Sequence, residues 1–173
     1  RVELRERGWI SGWRDEQYGV YPEWGGDEVF RLERAAAPLF GVTGFGVHVN
    51  GFVRGGADLG LWVATRSQTK PTDPGKLDQI VAGGQPAGLT LIDNVAKECF
   101  EEAGIPENLA GTARATGTVT YAMSTAERFR PDVLFVFDLE LPRDFIPVNT
   151  DGEVERFELW PVEHVLEVVR DTR

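Results

Sequence analysis

Cysteine occurs only once in this chain, at Cys99. A lone thiol closes no internal disulfide, so a reducing, cytoplasmic compartment is the default expectation. Positive charge is scarce as well. Lys and Arg number 18 against 28 Asp and Glu, a net charge of −10. Nucleic acid and anionic membranes both require a basic surface, so this balance argues against either as the main partner. An anionic small-molecule substrate would have to be held by local cations, either bound metal or a few placed Lys and Arg side chains. No apolar run reaches the length of a membrane span, no signal peptide opens the sequence, and there is no internal repeat or low-complexity segment. A chain that opens on Arg1 and stops at Arg173, soon after a helical pattern, reads as a trimmed piece of something longer.

What is present suffices for one folded domain. The 173 residues are 42% apolar and can bury a full core. Residues 1–26 are rich in aromatics and charge, with strand-like pieces near Trp9–Trp13 and Tyr18–Tyr21. Trp13, Tyr18, Tyr21 and Trp24 read either as a satellite hydrophobic cluster or as an aromatic substrate surface. Asp27 is placed to cap a helix reaching Leu39, with Val29, Leu32, Ala36 and Leu39 along one side. Residues 1–40 are accordingly expected to form an extension packed on a domain spanning 41–173, the remnant of a longer N-terminal region.

From Phe45 to Arg54 the residues alternate in strand fashion, and Leu61–Arg66 follows after a glycine turn, which predicts an antiparallel pair. His48 in the first strand has no co-ligand nearby and reads as a packed histidine. A loop with Pro71, Pro74 and Gly75 then carries Arg66, Lys70 and Lys76 toward a short strand at Ile80–Val81. Residues 111–122 and 129–141 predict two more strands, Phe157–Trp160 another, and Pro161–Val169 a last helix. Between Ile105 and Leu109 the chain is expected only to turn. Strands, helix, strands and helix in this order predict an α/β fold with a mixed β-sheet between helices.

The stretch 83–105, GGQPAGLTLIDNVAKECFEEAGI, carries the chemistry. A glycine-rich loop leads into an amphipathic helix, with Thr90 as N-cap, Asp93 at capping-box spacing and Gly104 as the stop. Leu91, Ile92, Val95, Ala96, Cys99, Phe100 and Ala103 recur at helical spacing and give it a face to bury; Cys99 falls on that face as a small core residue. Glu98, Glu101 and Glu102 sit at i, i+3 and i+4, so three carboxylates crowd one face and repel. Lys97 relieves part of that repulsion, and a divalent cation, Mg2+ or Mn2+, would relieve all of it. Taken alone, three such glutamates also read as a solvated helix face. A basic group at Arg66 and Lys70 leading into the carboxylates is what a metal-bound phosphate would need; an ordinary solvated loop is the other reading.

With Lys97 fourteen residues after Gly83, the run Lys97-Glu-Cys-Phe-Glu-Glu-Ala-Gly-Ile105 closely resembles the Nudix box. Two positions depart from its pattern: Leu89 stands where a glutamate is usual, and Lys97 where an arginine is usual. The lead RSQTKPTDPGKLDQIVAGG and the upstream ERAAAPLFGVTGFGVHVNGFV are similar to one branch in particular, the Nudix proteins related to the region fused to thiamine pyrophosphokinase in some fungi. That branch often lacks the glutamate replaced here by Leu89.

The resemblance implies a Nudix-type α/β/α sandwich and hydrolysis of a small-molecule diphosphate. For this branch the implied substrates are thiamine diphosphate or its oxidised, damaged derivatives, cut to the monophosphate. By carry-over, Glu98 and Glu102 would ligate metal, and Glu101 would ligate a second ion or orient the site. A backbone carbonyl near Ala82 and Gly83 would complete the set. Lys97 would orient the carboxylates without the bidentate fork of arginine. Arg66, Lys70, Gly83 and Gly84 would meet the substrate, and an N-terminal aromatic would stack on its ring. The general base is open between Glu98 and the loop residues Asp151, Glu153 and Glu155, which also read as solvated loop. A homodimer is compatible with this reading.

Two rivals stand beside it. Isopentenyl diphosphate isomerases share the fold and the Pro-Gly-x-Leu-Asp lead, but they need a cysteine and a metal-binding histidine that 78–85 lacks. A catalytically silent Nudix-fold binding module is the other, favoured by Leu89 and Lys97.

Overall fold

The N-terminal residues fold differently from their apparent periodicity. In the computed structural model, which describes residues 2–56, 58–70, 72–124 and 129–172, helix α1 (Val2–Glu6) is followed by irregular chain through Trp9–Trp13, where a strand was expected. Gly8, Gly12 and Asp15 all adopt left-handed backbone (φ 64°, 73° and 59°), and such repeated reversals cannot continue a strand. Strand β1 (Gln17–Val20) does form. The helix expected over Asp27–Leu39 does not. Strand β2 (Phe30–Glu33) instead pairs antiparallel with β1, with Leu32 opposite Tyr18. Helical geometry is confined to a 3₁₀ turn, Arg34–Ala36, and to α2 (Ala37–Phe40). Two residue properties decide this. Val29 and Phe30 suit extended chain, and Pro38, tolerated in the first turn of α2, would break the interior of a longer helix.

The alternating run beyond it is β3 (Gly44–Gly55), paired antiparallel with β4 (Asp58–Arg66), Phe52 opposite Leu61 and Gly55 opposite Asp58. Then come β5 (Leu77–Asp78), β6 (Val81–Gly84), α3 (Leu91–Ala103) and the short α4 (Glu107–Ala110), where only a turn was expected. Strands β7 (Arg114–Ser124), β8 (Phe129–Glu140) and β9 (Val154–Pro161) and helix α5 (Val162–Asp171) complete the order. The fold is α/β with a mixed sheet, in the order β5-β4-β3-β8-β7, β6 lying against β3 and β9 against β4. Ala57 of the glycine turn, Pro71 of the basic loop and the terminal residues Arg1 and Arg173 lie outside the described residues. Among the described residues, no helix is long and apolar enough to cross a membrane.

The chain divides into two compact units. One comprises Arg1–Gly46, Gly84–Thr90 and Thr118–Leu134; the other comprises Val47–Gly83, Leu91–Gly117 and Phe135–Arg173. In the first, the rings of Tyr21, Trp24 and Phe45 form a cluster with centroids 4.8–6.0 Å apart. Trp13 and Tyr18 are engaged elsewhere: the Trp13 indole N–H donates to Asp15 (2.9 Å), and the Arg34 guanidinium lies over the Tyr18 ring. Of the four aromatics read together in the sequence, Tyr21 and Trp24 thus share a cluster with Phe45, while Trp13 and Tyr18 have polar or charged partners of their own.

The second unit holds the main core: Val47, Val49 and Val53 from β3, Ile80 and Val81, Val95, Cys99 and Ala103 from α3, and Phe137, Leu139 and Leu141. Full burial, aided by the charges of Glu102 and Glu98, pushes the Cys99 thiol up to about 12, which makes it an inert core residue. The register of β9 on β4 sets Trp160 opposite Leu61 and Val154 opposite Arg66, with an irregularity at Thr65/Arg66. The chain entering β9 is thereby held beside the chain leaving β4.

Candidate functional site

Helix α3 begins after Thr90, as the capping residues predict, and ends at Gly104. The left-handed backbone of Gly104 (φ 64°) lets its own N–H close on Phe100 and that of Ile105 on Cys99. Its buried face differs from the apolar stripe read in the sequence. Ile92 and Phe100 are exposed, whereas Asn94, Val95, Glu98, Cys99, Glu102 and Ala103 are buried. The helix is rotated so that Asn94, Glu98 and Glu102, one turn apart, follow the edge of the core. Of the three crowded carboxylates, only Glu101 faces solvent.

Glu98 owes its position to Gly83. A Cβ on Gly83 would lie 2.6 Å from Glu98 Oε2 and still closer to its Cγ and Cδ, so the side chain rests directly on bare backbone. Any larger residue at 83 would displace it. On the other side, the Lys97 ammonium donates to Glu98 Oε1 (2.9 Å) and Glu101 Oε2 (2.8 Å). Burial disfavours that ammonium, but the two hydrogen bonds and carboxylate charges outweigh it and hold its pKa above the ordinary lysine range. Lys97 thus clamps Glu98 and Glu101 as a pair.

Glu102 belongs to a second group. The Ala82 N–H donates to its Oε2 (2.8 Å), and Lys70 Nζ lies 3.9 Å from its Oε1. Burial raises its pKa to about 8; the Ala82 hydrogen bond and Lys70 oppose the rise, and the charges of Glu98 and Glu153 add to it. Lys70 also pairs with Glu153 Oε2 at 2.6 Å. The loop carrying Glu153 is fastened at several points. The Thr150 hydroxyl donates to the Glu101 carbonyl, the Val148 N–H to that of Ala103 (3.0 Å), and the Ser67 N–H to that of Glu153 (2.9 Å). Within it, the Glu153 N–H donates to Asp151 Oδ1 (2.8 Å). As a result, carboxylate oxygens of Glu102, Asp151 and Glu153 lie within 4.8 Å of one another.

The remaining residues singled out in the sequence fall apart from this group. The Arg66 guanidinium donates to Asp78 Oδ2 (2.6 Å) and to the carbonyls of Thr72 (2.8 Å) and Asp73 (3.1 Å), so it braces the loop that bears Lys70. Glu155 is exposed and is no member of the Glu102 cluster. Gly84, in the other unit, gives room to the Tyr18 hydroxyl, which occupies the space a Cβ would need. Asp151 and Glu153 were legible as acids but not as neighbours of the helix, because that depends on the β4–β9 register.

Hard carboxylate oxygens clustered within bonding reach of a single ion, one of them on a buried side chain that resists ionisation, form a donor set that fits a divalent cation such as Mg2+ or Mn2+. Fold and site define an α/β protein with a glycine-backed, carboxylate-lined candidate metal site. Residues 44–172 match the NUDIX domain, and residues 2–44 match a domain of unknown function, DUF4743. The chain belongs to the Nudix family.

Among its relatives, Nudix hydrolase 24, chloroplastic, of Arabidopsis thaliana is 50% identical over 169 residues, 98% of this chain and 46% of that protein. Nudix hydrolase 20, chloroplastic, of the same plant is 49% identical over 169 residues, 98% and 45%. The chain thus spans about half the length of the curated relatives it matches. The fold is shared with DR0079 from Deinococcus radiodurans, at a TM-score of 0.63 and 20% identity over 91% of each chain.

Proposed function

We propose that this chain hydrolyses a diphosphate linked to a second moiety, using a divalent cation held by Glu98, Glu102, Asp151 and Glu153, with the Ala82 carbonyl completing the set. One observation carries the reading. Glu98 is buried against the bare backbone of Gly83, and Glu102, one turn on, is buried and grouped with the loop acids Asp151 and Glu153 and the Lys70 ammonium. Such a set is costly to assemble without a cation, because buried like charges repel and resist ionisation. When bound, the cation supplies neutralisation of diphosphate oxygens and a lowered pKa of water.

The chain's own groups do the rest. Lys97 holds Glu98 and Glu101 in fixed orientation. Lys70, on a loop braced by Arg66, would bind phosphate oxygens, and Glu153, its present partner, would help hold the cation. A water attacks phosphorus in line, the bridging P–O bond breaks, and the water's proton passes to whichever of Asp151 and Glu153 does not hold the cation. Both are less buried than Glu102, the third member of the cluster. Glu101, exposed and paired to Lys97, serves that orientation and is available to a second ion.

The finer substrate assignment rests on the likeness of the Arg66–Gly84 lead to the thiamine pyrophosphokinase-fused branch. We assign thiamine diphosphate and its oxidised derivatives, cleaved to the monophosphate and orthophosphate. The single buried thiol is compatible with a reducing compartment such as the cytoplasm. We also propose residues 1–40 as an extension accompanying the Nudix domain at 41–173.

A competition panel of thiamine diphosphate, its oxidised forms, ADP-ribose and dinucleotides, assayed with Mg2+, tests the substrate. Preference for the thiamine compounds is expected. Preference for a nucleotide refutes the branch assignment, and turnover of none refutes hydrolysis in favour of a silent binding module.

A further inference from the structure

Strand β7 ends the sheet order, and among the described residues β8 is its one strand neighbour. Its far edge therefore presents backbone N–H and C=O groups to any further strand. All eleven of its residues are exposed, which holds for no other described strand. Folded proteins commonly blunt such an edge with charge, proline or short length. At the opposite end of the order, β5 is only two residues long. β7 has none of these devices. Charged residues make up 27% of the chain, yet the ten that follow Arg114 include no charge and no proline.

The part of β7 within the first compact unit, Thr118–Ser124, has two unlike sides. Val119, Tyr121 and Met123 share one side by strand alternation and are 39% to 51% exposed, so an apolar row stands uncovered. Thr118, Thr120, Ala122 and Ser124 share the other side.

We infer that Thr118–Ser124 is a pairing edge for a second copy of this chain, joined antiparallel about a two-fold axis at Tyr121. Charge selects the partner. With a net charge of −10 two copies repel, so they meet closely only where the surface is uncharged. Self-complementarity selects the register. About Tyr121 the strand sets Val119 opposite Met123, Thr118 opposite Ser124 and Thr120 opposite Ala122, with the two Tyr121 rings side by side across the axis. Apolar side chains then meet apolar ones, the outer hydroxyls meet each other, and no like charges are opposed. Seven residues fall well short of the roughly 20–30 a side of a standard interface, so the association is weak, with a Kd on the order of 100 µM. The pairing uses none of the helix carboxylates and stands independently of the hydrolase reading.

Sedimentation velocity of the whole chain, from about 5 µM to about 500 µM, should show a shift from monomer to dimer. Tyr121→Lys sets two ammonium groups against each other at the axis and should raise the Kd about tenfold or more, with circular dichroism unchanged. Tyr121→Cys brings two thiols together where antiparallel neighbours have Cα atoms about 4.5–5.5 Å apart, inside the disulfide range. Glutathione disulfide should link that variant into a covalent dimer. Leu166→Cys, at a more exposed position on α5, should stay mostly monomeric, and the buried Cys99 takes no part. A chain monomeric across the whole range, a dimer unweakened by Tyr121→Lys, or equal cross-linking at the two positions overturns the inference.

Discussion

Replacing Glu102 by glutamine gives the most quantitative check on how the site is built. The carboxyl of Glu102 titrates near 8 instead of near 4.5, chiefly because burial disfavours its charge. At about 1.4 kcal/mol per tenfold change, ionising it inside the fold costs on the order of 5 kcal/mol. The sign follows from linkage. Between those two values the folded chain retains a proton that the unfolded chain has released. Metal-free wild type therefore loses stability as the pH rises from about 4.5 to about 8, and the loss is complete above that window.

Glu102→Gln carries no such titration. Urea unfolding in a chelator, run from about pH 5 to about pH 8.5, should show wild type falling relative to the variant by several kcal/mol. A divalent cation should narrow the difference. At a hundred times its dissociation constant, Mg2+ would stabilise wild type by about 2.7 kcal/mol, roughly 5–11 °C in Tm for a chain of this size, and leave the variant unmoved. Parallel pH curves for the two proteins would refute the argument that Glu102 is a desolvated carboxyl awaiting a cation.

Other perturbations separate position from chemistry. Gly83→Ala should fold, because the atoms it meets are the movable end of Glu98, yet turnover should drop about tenfold or more as that carboxylate is pushed off the backbone. Retained activity would show that Glu98 needs no such seat. Arg66→Ala should cost about 2 kcal/mol in urea unfolding through its lost bonds to Asp78 and the loop carbonyls, whereas Lys70→Ala should spare stability and raise KM. If Lys70→Ala instead lowers stability and leaves KM alone, the ammonium is only a structural partner of Glu153.

Much of the fold was legible from periodicity. The strands from Phe45 onward and helix α3 follow alternation and capping signals that no tertiary contact contradicts. Among the features that were not, three show the physical reasons most plainly. Residues 27–39 carry helical spacing, but Pro38 and the extended preference of Val29 and Phe30 favour pairing with β1. The phase of α3 departs from its apolar stripe, because Ile92 and Phe100 are apolar yet exposed, while Glu98 and Glu102 are charged yet buried. Burial of charge is a property of the site, and a hydropathy pattern cannot signal it. The roles of Arg66, Asp151 and Glu153 depend on β9 lying on β4 in one register, a long-range pairing that leaves no local trace.

The central claim is that Glu98 and Glu102 hold a divalent cation for cleavage of a diphosphate. Orthophosphate release from thiamine diphosphate, followed as Mg2+ is titrated into wild type, Glu98→Gln and Glu102→Gln, tests it most directly. Metal-dependent release by wild type is predicted, with a loss of about a thousandfold in each variant and the fold intact by circular dichroism. Wild-type rates in both variants, or release by wild type that persists in excess chelator, would contradict it.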